Sequence, residues 1–138
     1  FNHIPWDEQK ARLKESLDRT GQQYTILLDS TGVGEPIFDD FRKLRLPVKG
    51  YKFTSDSKSK LINNLRIGIE QKEIIIPREP RILREELEAY ECRVSETSGR
   101  VKYTAPEGMT DDCVIGLALA FWNARKDIQP QSIRNPFK

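Results

Sequence analysis

The stretch Tyr24-Thr25-Ile26-Leu27-Leu28-Asp29 is a short apolar run closed by a carboxylate, with the glycine-bearing turn Ser30-Thr31-Gly32-Val33-Gly34 directly behind it. A run this short, bounded by turn signals, predicts a strand buried on both faces. Such a strand needs covering helices, and its flanks supply them. Pro5 to about Asp18 has the spacing of a surface helix, with Trp6, Leu13 and Leu17 on one side and Gly21 at its end. Beyond the turn, Ile37, Phe38, Phe41 and Leu44 form the apolar stripe of a second helix, which Pro47 stops.

The same alternation continues to the end. Val48 to Phe53 reads as a strand, followed from about Ser57 by a helix with Asp56 or Ser57 as its N-cap and Leu61, Ile62, Leu65 and Ile69 facing inward. Ile74-Ile75-Ile76, ended by Pro77, reads as a short strand. Glu79 to Glu88 reads as an acidic helix held down by Ile82, Leu83 and Leu87, with Glu79, Glu85, Glu86 and Glu88 on a solvated face. Tyr90–Val94 and Arg100–Tyr103 pair as a hairpin across Glu96-Thr97-Ser98-Gly99. A final helix opens after Gly108 and Thr110, with Thr110 as its cap. It runs to about Lys126 and is apolar nearly all round from Val114 to Trp122, which predicts a central packed helix. The pattern is that of an α/β domain with a mixed sheet flanked by helices, spanning residues 1–128, with a loose tail at 129–138 carrying Pro130 and Pro136.

Composition removes several classes of function. One histidine (His3) and two isolated cysteines, Cys92 and Cys113, leave no zinc site of the usual Cys/His kind and no disulfide framework. The apolar run Val114 to Trp122 falls well short of the ~20 residues needed to cross a bilayer, so no membrane partner is expected. A net charge of +2 lacks the strongly basic footprint common in nucleic-acid readers. Any bound metal would have to be a hard cation on carboxylates.

Two places offer such carboxylates. Asp29 ends the apolar strand, where open α/β sheets place their ligands. Asp111-Asp112 stands in the opening turn of the late apolar helix. Each has a plain structural role available. An Asp after a strand caps the next turn, and acids at a helix start are favoured by its dipole by ~0.3–1 kcal/mol. Taken together they say more. Two carboxylates ~4 Å apart at an effective dielectric of 20 repel by ~4 kcal/mol, so a shared pocket would call for a divalent cation or a raised pKa. Magnesium suits such a pocket, and a pair of ions can serve phosphodiester cleavage. Lys49, Lys52, Lys58 and Lys60, interleaved with Tyr51 and Phe53, form either a DNA-backbone track or a solvated face. The glycines of Thr31-Gly32-Val33-Gly34 match no complete phosphate-binding signature.

The segment Leu27-Leu28-Asp29-Ser30-Thr31-Gly32-Val33-Gly34-Glu35-Pro36 resembles the "DxTGVG" segment of phage large-terminase nuclease domains. Further matches follow in order: Tyr51-Lys52-Phe53-Thr54, the Leu61-Ile62-Asn63-Asn64-Leu65 helix, Ile74-Ile75-Ile76-Pro77, Leu83-Arg84-Glu85-Glu86-Leu87, and Gly108-Met109-Thr110-Asp111-Asp112-Cys113-Val114. The resemblance implies a ribonuclease H-like fold and a divalent-metal-dependent endonuclease of a bacteriophage or prophage. That enzyme would cut concatemeric double-stranded DNA during packaging in the host cytoplasm. It also implies a two-metal Mg2+ or Mn2+ site, an upstream ATPase motor domain, and portal and small terminase subunit as partners. By position, Asp29 and Asp112 become metal ligands and catalytic residues, with Asp111 as auxiliary. The family often carries His where Thr110 stands, and its fold opens with strands, the first bearing another metal-binding aspartate. This chain starts at the first helix, so the resemblance implies an N-terminally incomplete domain, weak or inactive alone. Two other functions are open: a truncated, non-catalytic DNA-binding domain of the same fold, and a nucleotide-binding domain using the Gly32/Gly34 turn.

Overall fold

Two parallel strands joined through a helix organise the first part of the chain. In the computed structural model, which describes residues 4–32, 35–94 and 101–128, β1 (Ile26–Asp29) pairs with β2 (Val48–Tyr51) in the register Ile26↔Val48 through Asp29↔Tyr51. The ladder is extended at both ends, by Ile26 N–H to Pro47 O at 2.8 Å and by Ser30 N–H to Tyr51 O at 2.9 Å. Parallel strands require a crossover, and the helix between them provides it. Ahead of this motif lies α1 (Trp6–Thr20), which follows Pro5 and has Asp7 and Glu8 in its first turn. It ends at Gly21, whose φ of 61° is the left-handed conformation that glycine tolerates without strain. The crossover helix is α2 (Glu35–Lys43). Phe41 and Leu46 are the buried apolar residues of this unit, Phe1–Lys52. Trp6 stands edge-on to Phe41, with centroids 5.8 Å apart, and donates to Asp40 at 3.1 Å.

The pattern predicts that β1 is buried on both faces. The structure leaves Ile26, Leu27 and Leu28 half-buried and Asp29 exposed. Among the described residues β2 is the ladder partner of β1, so one edge of β1 has no strand beside it.

The second unit, Phe53–Lys138, is built on helices. α3 (Ser55–Glu70) begins two residues earlier than its sequence suggests, because Thr54 and Ser57 cap it reciprocally. The Ser57 amide donates to Thr54 Oγ1 at 3.1 Å, and the Thr54 amide donates to Ser57 Oγ at 2.8 Å. Caps of this kind contribute about 1 kcal/mol. Leu61, Ile62, Leu65 and Gly68 form the buried face of α3. α4 (Arg81–Ala89) leads into the antiparallel pair β3 (Glu91–Val94) and β4 (Val101–Thr104), with Glu91 opposite Thr104. The turn between those strands lies outside the described residues.

The chain then enters α5 (Asp112–Ile128). α5 packs on α3 and α4, and β4 packs on α3. Leu61, Leu65, Val114, Ala118 and Leu119 are buried there. Gly68 makes close approach possible: a Cβ on it would lie 2.4 Å from the Phe121 ring. At the far end of α5, the Arg125 guanidinium donates to Asn64 at 2.9 Å and reaches Glu73 at 3.3 Å.

Three expectations need correction in this unit. Residues 74–76 join no ladder, and Ile75 is 94% exposed, so three isoleucines with no adjacent strand do not become one. α5 is the packed helix expected, but it is not buried all round, since Gly116 and Ala120 face solvent. Of the side chains expected to hold α4 down, Leu83 and Leu87 are half-buried and only Ile82 is exposed. His3, the Val33-Gly34 part of the glycine turn and the 129–138 tail lie outside the described residues. Among the described residues no helix is long and apolar enough to cross a membrane.

Candidate functional site

Asp29 stands where its sequence places it, exposed at the carboxyl end of β1. Its Oδ1 accepts the Thr31 amide at 2.7 Å, a local turn in which an aspartate side chain mimics a backbone carbonyl. Gly32 follows at φ 79°, a conformation that side-chain-bearing residues rarely adopt. Behind the turn, a Cβ on Gly50 would lie 3.0 Å from the Ser30 Cβ and 3.2 Å from the Phe38 ring, so β2 needs glycine to pass this close. Lys49, on β2, and Lys52, just after it, are both exposed.

The late pair of acids, Asp111 and Asp112, sits at the opening of α5, in surroundings of a different kind. Asp111 precedes the helix and accepts the Ile115 amide on its backbone carbonyl at 2.9 Å, which makes it the N-cap residue in place of Thr110. Its carboxylate turns outward. Oδ2 accepts Lys58 Nζ of α3 at 2.9 Å and the Tyr90 hydroxyl at 3.4 Å. The Lys58 and Asp111 side chains are 32% and 28% exposed, so this pair is only partly screened by water. Burial first, and then the Asp111 charge, push the Tyr90 phenol well above its ordinary range and keep it a donor. Asp112, the first residue of α5, is exposed. Lys58 had the look of a DNA-facing lysine in the sequence; here its ammonium is engaged by Asp111. Lys60 is paired with Asp56 at 2.7 Å.

Glu86 is the residue that the sequence misassigns. Grouped there with the solvated acids of α4, it is 4% exposed. Its Oε1 accepts the Thr110 hydroxyl at 2.8 Å, and its Oε2 accepts the amides of Cys113 at 2.8 Å and Val114 at 3.2 Å. These are first-turn amides of α5 with no partner inside the helix. A signal was available: Leu83, Glu86, Leu87 and Tyr90 share one helical face by their 3-4-7 spacing, so Glu86 interrupts an apolar stripe. Ile82, expected inward, is 51% exposed because it lies off that face. Beside this cluster, burial and the neighbouring Glu86 and Asp112 carboxylates push the Cys113 thiol upward, so Cys113 is no ready nucleophile.

The donor chemistry suits a hard cation, since the exposed acids Asp29 and Asp112 offer oxygen ligands. Among the described residues, however, no group of three or more Asp, Glu, His or Cys side chains has the spacing to hold a metal ion. Glu86 is committed to its amides and Asp111 to Lys58, so neither unit by itself furnishes a complete set of ligands.

The architecture defines the class: a ribonuclease H-like α/β domain. Within that class the chain is similar to the nuclease domains of phage large terminases. It shares 28% identity and a TM-score of 0.73 with the magnesium-bound large terminase nuclease of thermophilic phage G20c, covering 86% of this chain and 62% of that one. For the cobalt-bound form of the G20c nuclease the values are 27% and 0.76, over 88% of this chain and 64% of that one. The large terminase nuclease domain of Thermus phage P74-26 shows the same fold at 24% identity and a TM-score of 0.73. The resemblance carried by the sequence motifs therefore holds in three dimensions. The chain spans less than two thirds of the length of these nucleases. No protein-family model matches it, and no curated protein does.

Proposed function

We propose that this chain is part of the endonuclease domain of a phage large terminase, which cuts concatemeric double-stranded DNA during genome packaging in the cytoplasm of the host cell. The observation that carries this reading is the likeness to magnesium- and cobalt-bearing terminase nucleases over 86% and 88% of the chain. The placement of Asp29 at a strand end and of Asp112 at a helix start supports it. Asp29 and Asp112 are the acids assigned to Mg2+ or Mn2+, with Asp111 as auxiliary, in a site of two ions once the domain is complete. Bound cations supply charge neutralisation at the scissile phosphate. The chain's own residues fix the acids: the Thr31 amide orients Asp29, and the N-terminal turn of α5 presents Asp112. Lys49, Lys52, Lys58 and Lys60 are assigned to the DNA backbone, with Lys58 free for that task only when it leaves Asp111. An ATPase motor domain, the portal and the small terminase subunit are the proposed partners.

Nicking of supercoiled plasmid by the 138-residue chain in Mn2+ tests the proposal. Expected is slow cleavage that Asp112→Asn and Asp29→Asn each remove. Cleavage that persists in a chelator, or that both substitutions leave intact, would sink it. A second reading, a non-catalytic DNA-binding domain, is favoured by two observations: Lys58 already occupies Asp111, and no three-ligand group exists among the described residues. DNA retention without any cleavage selects that reading.

A further inference from the structure

An N-cap aspartate ordinarily turns its own carboxylate back onto the amides of the second or third helical residue. In α5 those residues are Cys113 and Val114, and the N-cap residue is Asp111. Asp111 does not cap them. Both amides go to Glu86, a nearly fully buried side chain from another helix, while the Asp111 carboxylate reaches away to Lys58 and Tyr90. A helix start with its own aspartate in place has no need of a buried acid for stability alone, and burying a carboxylate is costly unless its hydrogen bonds are made. Here they are made, by three donors including the Thr110 hydroxyl.

We infer that Glu86 is a positioning residue which, by occupying the first-turn amides of α5, prevents Asp111 from capping its own helix and keeps its carboxylate turned toward Lys58 and Tyr90. Glu86 touches no reacting group; it acts through Asp111 and the backbone that carries Asp112. This rests on the nuclease reading for its purpose, but not for its geometry.

The experiment separates the two. In Glu86→Leu the amides are vacated and Asp111 swings back to cap them, leaving Lys58. The Lys58→Met substitution then lowers the melting temperature in the wild-type background and has no effect in the Glu86→Leu background. Equal shifts in both backgrounds overturn the inference. Should Glu86→Leu fail to fold, Glu86→Ala serves in the same cycle, since it too removes both acceptor oxygens from the helix donors. In parallel, Mn2+ titration is followed by paramagnetic broadening of the amide resonances at Asp111 and Asp112. The inference expects an affinity about tenfold weaker in Glu86→Leu, or in Glu86→Ala should Leu not fold, the usual scale for residues that orient a ligand. Unchanged affinity overturns it. If wild type itself shows no saturable broadening, the nuclease reading fails, and the melting cycle still decides the role of Glu86.

Discussion

The two acid-bearing regions are held in opposite ways. Asp29 depends on a turn two residues long, its carboxylate hydrogen-bonded to the Thr31 amide. The Asp111-Asp112 opening of α5 is held by Lys58 from α3, Glu86 from α4 and Tyr90 at the end of α4. A local turn forms whenever its few dihedrals are right and tolerates change elsewhere. A start gripped from two other helices exists only when those helices are packed. The first kind of acid is encoded next to itself, the second by residues far along the chain.

The largest break in that contrast comes from Glu86→Leu. It strips partners from two amides and one hydroxyl, with some compensation when Asp111 recaps the helix, for an expected loss of about 2 kcal/mol in urea unfolding. A loss below about 0.5 kcal/mol, the scale of an ordinary surface substitution, would mean that the start of α5 is as self-sufficient as the Asp29 turn. Lys58→Met comes next. It removes a partly screened ion pair and leaves Asp111 with Tyr90 as its remaining side-chain donor, for an expected loss of about 1 kcal/mol that shrinks as salt is raised. A loss independent of ionic strength would show that Lys58 matters for packing and not for charge. Asp29→Asn is the smallest. The amide oxygen of Asn can still accept the Thr31 N–H, so stability should change by less than about 0.5 kcal/mol. A larger change in the unfolding midpoint would show that Asp29 is structural.

The same contrast explains what the sequence made legible. The helices and the four strands of the two ladders follow from local patterning, and so do the positions of Asp29 at a strand end and Asp111-Asp112 at a helix start. The start of α3 shifted because Thr54-x-x-Ser57 is a cap whose second member is Ser and not Glu. Residues 74–76 show the limit of propensity, for an isoleucine run becomes a strand only when another strand lies beside it. Glu86 was hidden for a deeper reason. Its partners are backbone amides, which carry no residue-type signal, so only its place within the Leu83-Leu87-Tyr90 stripe marked it.

The spacing of Glu86 and Tyr90 along the chain has a mechanical outcome. They lie four positions apart, one on α4 and the other where it ends; Glu86 fastens onto the first turn of α5 and Tyr90 onto Asp111 just before it. Two fastenings about one helical turn apart resist rotation as well as translation. Slipping α4 by a single residue turns its face by about 100° and undoes both at once. The opening of α5 is therefore set by the rotation of α4 as well as by its position.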